Sequence, residues 1–196
     1  LYRRSNLTDI IHATTQNIFI PVSAGGGLRN IHDCRCLLQN GADKVTINTY
    51  AVENPNILEE ISRLFGSQAT VLYIEAKYSG DGKYEVYTDC GREASGLDVT
   101  DWFREAQDLG VGEVVLTSID REGTRQGFDT QLIKKISKLS HIPIISSGGF
   151  GTLEHGKDAV TAGADAIAIA DCLHYERYTI LEIKQYLRQF GLGVRF

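Results

Sequence analysis

Ile20-Pro21-Val22-Ser23-Ala24-Gly25-Gly26-Gly27 decides the fold, because the chain repeats it as Ile142-Pro143-Ile144-Ile145-Ser146-Ser147-Gly148-Gly149. The two Ile-Pro pairs stand 122 residues apart, and so do Gly41-Ala42-Asp43 and Gly163-Ala164-Asp165. The shared unit is an apolar strand, a glycine turn, a helix, Gly-Ala-Asp and a second strand, in one register and without a gap. A repeat of this length is a supersecondary unit used twice. A glycine turn leading into a helix leaves backbone N–H groups able to hold an anion. The strand after Gly-Ala-Asp ends in Thr46-Ile47-Asn48-Thr49 in one copy and in Ala168-Ile169-Ala170-Asp171 in the other. Each copy therefore predicts a phosphate cradle. The first draws on Gly26, Gly27, Asn48 and Thr49, the second on Ser147, Gly148, Gly149, Ala170 and Asp171. The plainer reading is that the glycines only permit tight strand-to-helix turns.

Outward from these units, apolar runs of strand length alternate with helical periodicity. Residues 7–15 read as the end of a helix with Leu7, Ile10 and Ile11 on one face. Strands are predicted over residues 18–24, 44–48, 69–76, 113–118, 142–147 and 166–170. Helices are predicted over 31–39, 54–65, 153–160 and 179–190, with others ending at Leu109 and Leu139; Asp129 and Thr152 are the expected N-caps. Ser79-Gly80-Asp81-Gly82 turns into an alternating segment, Lys83 to Thr88, which reads as an accessory hairpin in a long loop. Six strands alternating with helices predict an α/β protein built on a parallel sheet. The expected fold is a (β/α)8 TIM barrel, one domain over residues 1–196. Two 122-residue halves need about 244 residues, against 196 here, a shortfall of about two β/α units. The shortfall is expected at the N-terminal side, where only 19 residues precede Ile20 and the first residue is Leu1. The strand beginning near Ile18 and the strand ending near Ala170 are then expected to lack outer neighbours.

Composition narrows the class. An apolar content of 42% can supply one substantial core. A net charge of −5 gives no electrostatic reason to expect nucleic acid or an acidic membrane surface. No apolar run approaches the ~18 residues of a membrane span, and no signal peptide is visible. Cys34, Cys36, Cys90 and Cys172 lack zinc-type spacing, so reduced thiols in a cytoplasmic protein are expected, with no metal and no cofactor.

In a barrel of this kind the C-terminal strand ends build the active site. Read off the sequence, they present Gly25 to Gly27, Asn48 with Thr49, Glu75 with Lys77, Ser118 to Asp120 with Glu122, Ser147, and Asp171. Carboxylates between two phosphate cradles suit general acid–base work on a small phosphorylated molecule, and Glu75, Asp120 and Glu122 are the candidates. Each has a plain alternative: Asp120 as a turn cap, Lys77 as a solvated charge, and Glu75 as its ion-pair partner.

Several of these segments resemble one family. Gly25-Gly26-Gly27-Leu28-Arg29, Gly41 to Thr49, Ala51 to Pro55, Leu116 to Thr124, Ser147-Gly148-Gly149 with Thr152 to His155, and the tail from Tyr186 to Arg195 are similar to the cyclase subunit of imidazole glycerol phosphate synthase. The likeness runs from about Phe19 to Phe196. It implies an enzyme of histidine biosynthesis that takes ammonia from a glutaminase partner. The substrate is bisphosphorylated, and the products are imidazole glycerol phosphate and an aminoimidazole carboxamide ribotide. It further implies a catalytic pair of aspartates on the first and fifth strands of the complete barrel. The fifth-strand position is Glu75, and the first-strand position lies outside this sequence. Gly27 and Thr49 match one phosphate site, and Gly123, Ser147, Gly149 and Ala170 the other. Lys44 and Glu113 match half of a charged gate through which ammonia enters.

The chain departs from the pattern at three places. Glu75 is one methylene longer than the usual aspartate, and Glu122 likewise stands for an aspartate. Asp171 stands where a serine is usual at the second phosphate. A lone carboxylate about 4 Å from a phosphate costs on the order of 4 kcal/mol per charge pair at an effective dielectric of 20. The second cradle is therefore expected to bind anions less well than the first. These departures leave two alternatives beside the cyclase: a paralogous amidotransferase partner in surface-sugar modification, and a non-catalytic barrel that binds and activates a glutaminase.

Overall fold

The structure, a computed structural model, describes residues 4–196. The chain divides into two compact units. The first holds the residues up to Tyr73 together with Glu105–Glu113, and the second holds Ile74–Arg104 and Val114–Phe196.

The first unit begins with helix α1 (Arg4–Thr15) and continues through β1 (Ser23–Gly25), α2 (Ile31–Gln39), β2 (Lys44–Ile47), α3 (Thr49–Glu53) and α4 (Asn56–Phe65). Strand β3 (Thr70–Gly80) starts in this unit. β1 lies parallel to β2 with Ser23 opposite Lys44, and β2 lies parallel to β3 with Val45 opposite Thr70. Val45, Ile47, Leu58 and Ile61 are buried, as fits strands and helices that alternate around a common core. Asn30 starts α2 by accepting the N–H of Asp33.

The second unit carries the rest of β3, the antiparallel strands β4 (Lys83–Thr88) and β5 (Glu93–Asp98), and α5 (Val99–Asp108), whose last residues belong to the first unit. It continues with β6 (Glu113–Ser118), α6 (Thr130–Ser137), β7 (Ile144–Ser147), α7 (Leu153–Thr161), β8 (Ala166–Ala168), α8 (Asp171–His174) and α9 (Ile180–Gln189). β6 follows β3 in the strand order. Gly112 donates to Thr70 O in the first unit and Ile119 to Ala76 O in the second, so bonds to β3 flank both ends of β6. β7 is parallel to β6, and β8 to β7. Phe128, Ile133, Phe150, Ala159, Ile183 and Leu187 form one apolar cluster here, with the Phe150 ring edge-on to Phe128 and Tyr178. The architecture is α/β, with a parallel sheet consistent with a partial (β/α)8 barrel.

The sequence repeat is a repeat of bonds as well as of letters. Val22 N donates to Asp43 Oδ2 at 2.8 Å, and Ile144 N to Asp165 Oδ2 at 2.8 Å. Asp43 N returns a bond to Val22 O, as Asp165 N does to Ile144 O. Each aspartate thus pins the start of the neighbouring strand with its side chain and its backbone together.

Three expectations change. The strand predicted over residues 18–24 is observed only at Ser23–Gly25, with Phe19 98% and Ile20 71% exposed. Among the described residues β1 pairs with β2 alone, and β8 with β7 alone. A parallel ladder extends only where a neighbour accepts its bonds. The hairpin after β3 contains two strands, β4 and β5, rather than one. The helix predicted over residues 54–65 starts at Asn56, with Pro55 as its N-cap, and a further short helix, α3, precedes it. Asp98 directly precedes α5 and accepts the N–H of Thr100.

Candidate active site

The first unit holds one predicted cradle. Gly25 lies so close to β2 that a Cβ on it would stand 2.1 Å from Thr46 O. Gly26 and Gly27 follow at positive φ, with open space where a Cβ would be. Asn48 precedes α3, its carbonyl accepting the N–H of Ala51 and Val52, and Thr49 is the first residue of the helix. The same unit holds the predicted gate pair, in which Lys44 Nζ donates to Glu113 Oε2 as an ion pair.

In the second unit the other cradle surrounds a cavity of about 160 Å³. Glu122, Gly123, Ser147, Gly148, Gly149, Ala170 and Asp171, all selected from sequence, line it together. Two loops meet backbone to backbone beside it. Gly127 N donates to Gly149 O at 2.8 Å, and a Cβ on Gly149 would stand 2.2 Å from Gly127 O. Nothing bulkier than glycine fits at residue 149. The Glu122 backbone N–H bonds to Ser118 O, and its carboxylate reaches toward Gly148, whose added Cβ would lie 3.1 Å from Oε2. Ala170 caps α8, accepting the N–H groups of Leu173 and His174.

Asp171 is not the lone carboxylate assumed from sequence. Arg125 Nε and Nη2 donate to its two oxygens at 2.9 and 3.0 Å, and Arg177 Nη2 donates to Oδ2 at 2.7 Å. The Arg125 hydrogen bond and charge, with Arg177 adding, hold the Asp171 carboxyl below its usual range. Two cations contact this anion, so the repulsion expected of a lone carboxylate does not apply to it. Arg125 and Arg177 were missed because a loop arginine carries no sequence signal of its partner. The only hint was the anomaly of an aspartate at a phosphate position.

Glu75 and Asp120 also lie in the second unit. Glu75 sits on β3 opposite Tyr87, and a Cβ on Gly91 would be 3.8 Å from its Oε1. The β4–β5 turn therefore lies over this carboxylate, which no sequence pattern indicated. Lys77 Nζ stands 5.4 Å over the Tyr87 ring. Asp120 Oδ2 accepts the N–H of Tyr78 at 2.8 Å, tying the loop after β6 to the end of β3. Asp129 caps α6 by accepting Leu132 N, and it also accepts the Tyr84 and Ser118 hydroxyls. Burial and the adjacent Asp129 push the Tyr84 phenol well above its ordinary range. Among the described residues no His, Cys, Asp and Glu side chains cluster as a metal site.

Alternating strands and helices around a parallel sheet, with a twice-used glycine turn at strand ends, define a (β/α)-barrel protein. The match to known proteins is more specific. A family model described as "Histidine biosynthesis protein" matches residues 2–179, and the chain belongs to that family. Curated relatives named "Imidazole glycerol phosphate synthase subunit HisF" match along most of its length. The Pyrobaculum aerophilum protein is 45% identical over 192 residues, covering 98% of this chain and 76% of the relative. The Legionella pneumophila protein is 53% identical over 154 residues, covering 79% and 73%. The Alkaliphilus metalliredigens protein is 44% identical over 190 residues, covering 96% and 75%.

Proposed function

We propose that this chain is the cyclase subunit of imidazole glycerol phosphate synthase, working with a glutaminase that supplies ammonia. The observation that carries this is the duplicated cradle unit, in a chain whose relatives bearing that name are 43–53% identical. A substrate with two phosphates has one cradle for each. Surface-sugar modification and a purely non-catalytic role have no comparable support, since these relatives share the synthase name.

The roles follow from the chemistry of the groups. Gly26, Gly27, Asn48 and Thr49 hold one phosphate, with the Thr49 hydroxyl as a donor. Gly123, Ser147, Gly148, Gly149, Ala170 and Asp171 belong to the other. Glu75 is the acid–base carboxylate, able to take a proton from the attacking nitrogen and return it to a leaving oxygen. Asp120 serves it indirectly by fixing Tyr78, three residues along the same strand. Glu122, beside Gly148, is the further carboxylate available for proton transfer. Lys44 and Glu113 guard the ammonia entrance as a charge pair. The family match over residues 2–179 runs through both units, which supports reading residues 1–196 as one barrel domain. No helix among the described residues is long and apolar enough to cross a membrane.

The test is turnover. The full-length protein, given an ammonium salt and the bisphosphorylated substrate, should release aminoimidazole carboxamide ribotide. A strain lacking its own cyclase should regain growth without histidine. A protein that binds phosphate in both cradles yet neither turns over nor complements would refute the cyclase reading.

A further inference from the structure

The charges around the second cradle have a definite architecture. Arg125 grips Asp171 in a fork, and Arg177 binds the same carboxylate. The Tyr175 ring lies 6.0 Å from the Arg125 guanidinium and 5.2 Å from that of Arg177. Arg125 and Asp171 both line the cavity that Ser147, Gly148 and Gly149 form. The Arg125 backbone is itself fixed against the cradle. It holds a φ of 59°, which a non-glycine residue adopts only when its surroundings impose it. Its carbonyl lies 2.2 Å from where a Cβ on Gly151 would stand. In the repeat, Asp171 occupies the place of Thr49, and an ionised aspartate has no proton to give a phosphate oxygen.

We infer that Arg125 is the cationic contact for the phosphate of the second cradle, and that Asp171 is its positioning residue. This rests on the phosphate reading given above. The fork engages Nε and one N–H of Nη2, and a guanidinium carries five N–H groups, so donors remain for an oxyanion. Arg177 compensates the aspartate, so the carboxylate aims Arg125 without leaving an unmatched negative charge at the rim. The donor lost by replacing a hydroxyl with a carboxylate is thus supplied by a residue 46 positions away. The first cradle then binds through backbone and hydroxyl groups, whereas the second adds a full charge. Arg125 is half exposed, so salt weakens the second cradle more than the first.

The test is a phosphate titration of the full-length protein, followed at the backbone amides of Gly148 and Gly149 against those of Gly26 and Gly27. Arg125→Gln should weaken phosphate at Gly148 and Gly149 by about 10-fold or more, the usual worth of a hydrogen bond to a charged group. Gly26 and Gly27 should respond as in the unmutated protein. Asp171→Ser should weaken the second cradle when Arg125 is present and add nothing in the Arg125→Gln background. Asp171→Glu should restore part of the affinity. Normal phosphate binding at Gly148 and Gly149 in Arg125→Gln would overturn this inference while leaving the cradle standing. Tighter binding by Asp171→Ser in both backgrounds would also overturn it, showing that the carboxylate simply repels the anion. A second cradle that does not respond to phosphate at all would remove both the inference and the phosphate reading on which it rests.

Discussion

Glu75 carries the side chain whose length matters most. Compared with aspartate it sets the carboxylate one methylene further from β3, and the β4–β5 turn lies over it near Gly91. Glu75→Gln keeps the shape and removes the titratable proton. It should abolish ammonia-dependent turnover while phosphate still binds, as separate rate and binding measurements would show. Turnover within a few-fold of the unmutated protein would place the acid–base group elsewhere. Glu75→Asp gives the companion result, a drop in kcat if the longer side chain matches the substrate. Cys34 yields a pH prediction. Burial, with the nearby charges of Asp33 and Glu60, pushes its thiol up from 9.0 to about 11. The unfolded thiol ionises first, so stability is full below pH 9 and declines as pH rises toward 11. Urea midpoints measured across that range should fall, and Cys34→Ala should fall less steeply.

At the scale of elements, the glycine turns divide into two kinds. Gly25 ends β1 where its backbone runs against β2, and an added Cβ would meet Thr46 O at 2.1 Å. That atom belongs to the sheet ladder and cannot yield. Gly25→Ala should therefore destabilise the protein by at least about 3 kcal/mol, the upper end of overpacking costs. Gly26 has a φ of 116° and open space around it. Gly26→Ala should cost only about 1–2 kcal/mol, the penalty of a strained backbone. Chemical denaturation of the two variants checks the order, and equal losses would contradict it. The repeated aspartates make the corresponding point for strand starts. Asp43 and Asp165 each bind the strand before them through side chain and backbone, so the repeat is conserved as geometry within this one chain.

For the whole molecule, the consequence lies in coupling to a partner. Lys44 and Glu113 form their ion pair in the first unit, while Glu75 and the second cradle belong to the other. A gate that only admits ammonia from a glutaminase leaves the chemistry itself untouched. Lys44→Met should therefore lower glutamine-dependent turnover by about 10-fold or more, on the scale of lost charged contacts. Turnover with added ammonium salt should remain near normal. Assaying one preparation with both nitrogen sources separates the effects, and equal losses would make the pair a structural tie instead.

What the sequence determined by itself is whatever repeats locally. Apolar runs, Gly-Ala-Asp and the helix caps at Asp129 and Thr152 lie within a few residues of the groups they act on, so their pattern reads directly as strands, turns and helix starts. The six parallel strands and the pairing of each glycine turn with its strand-end loop followed from that. Tertiary structure alone decided which distant groups meet. Ile18 to Ile20 have the composition of a strand but no ladder around them, because hydrogen bonds between strands require a neighbour that composition does not encode. Asp120 accepts a bond from Tyr78, 42 residues earlier, and Asp171 is gripped by Arg125, 46 residues earlier. Those contacts exist because loops from successive strands converge at one end of the sheet. Charge and hydrogen bonding act through space, and distance along the chain does not reveal them.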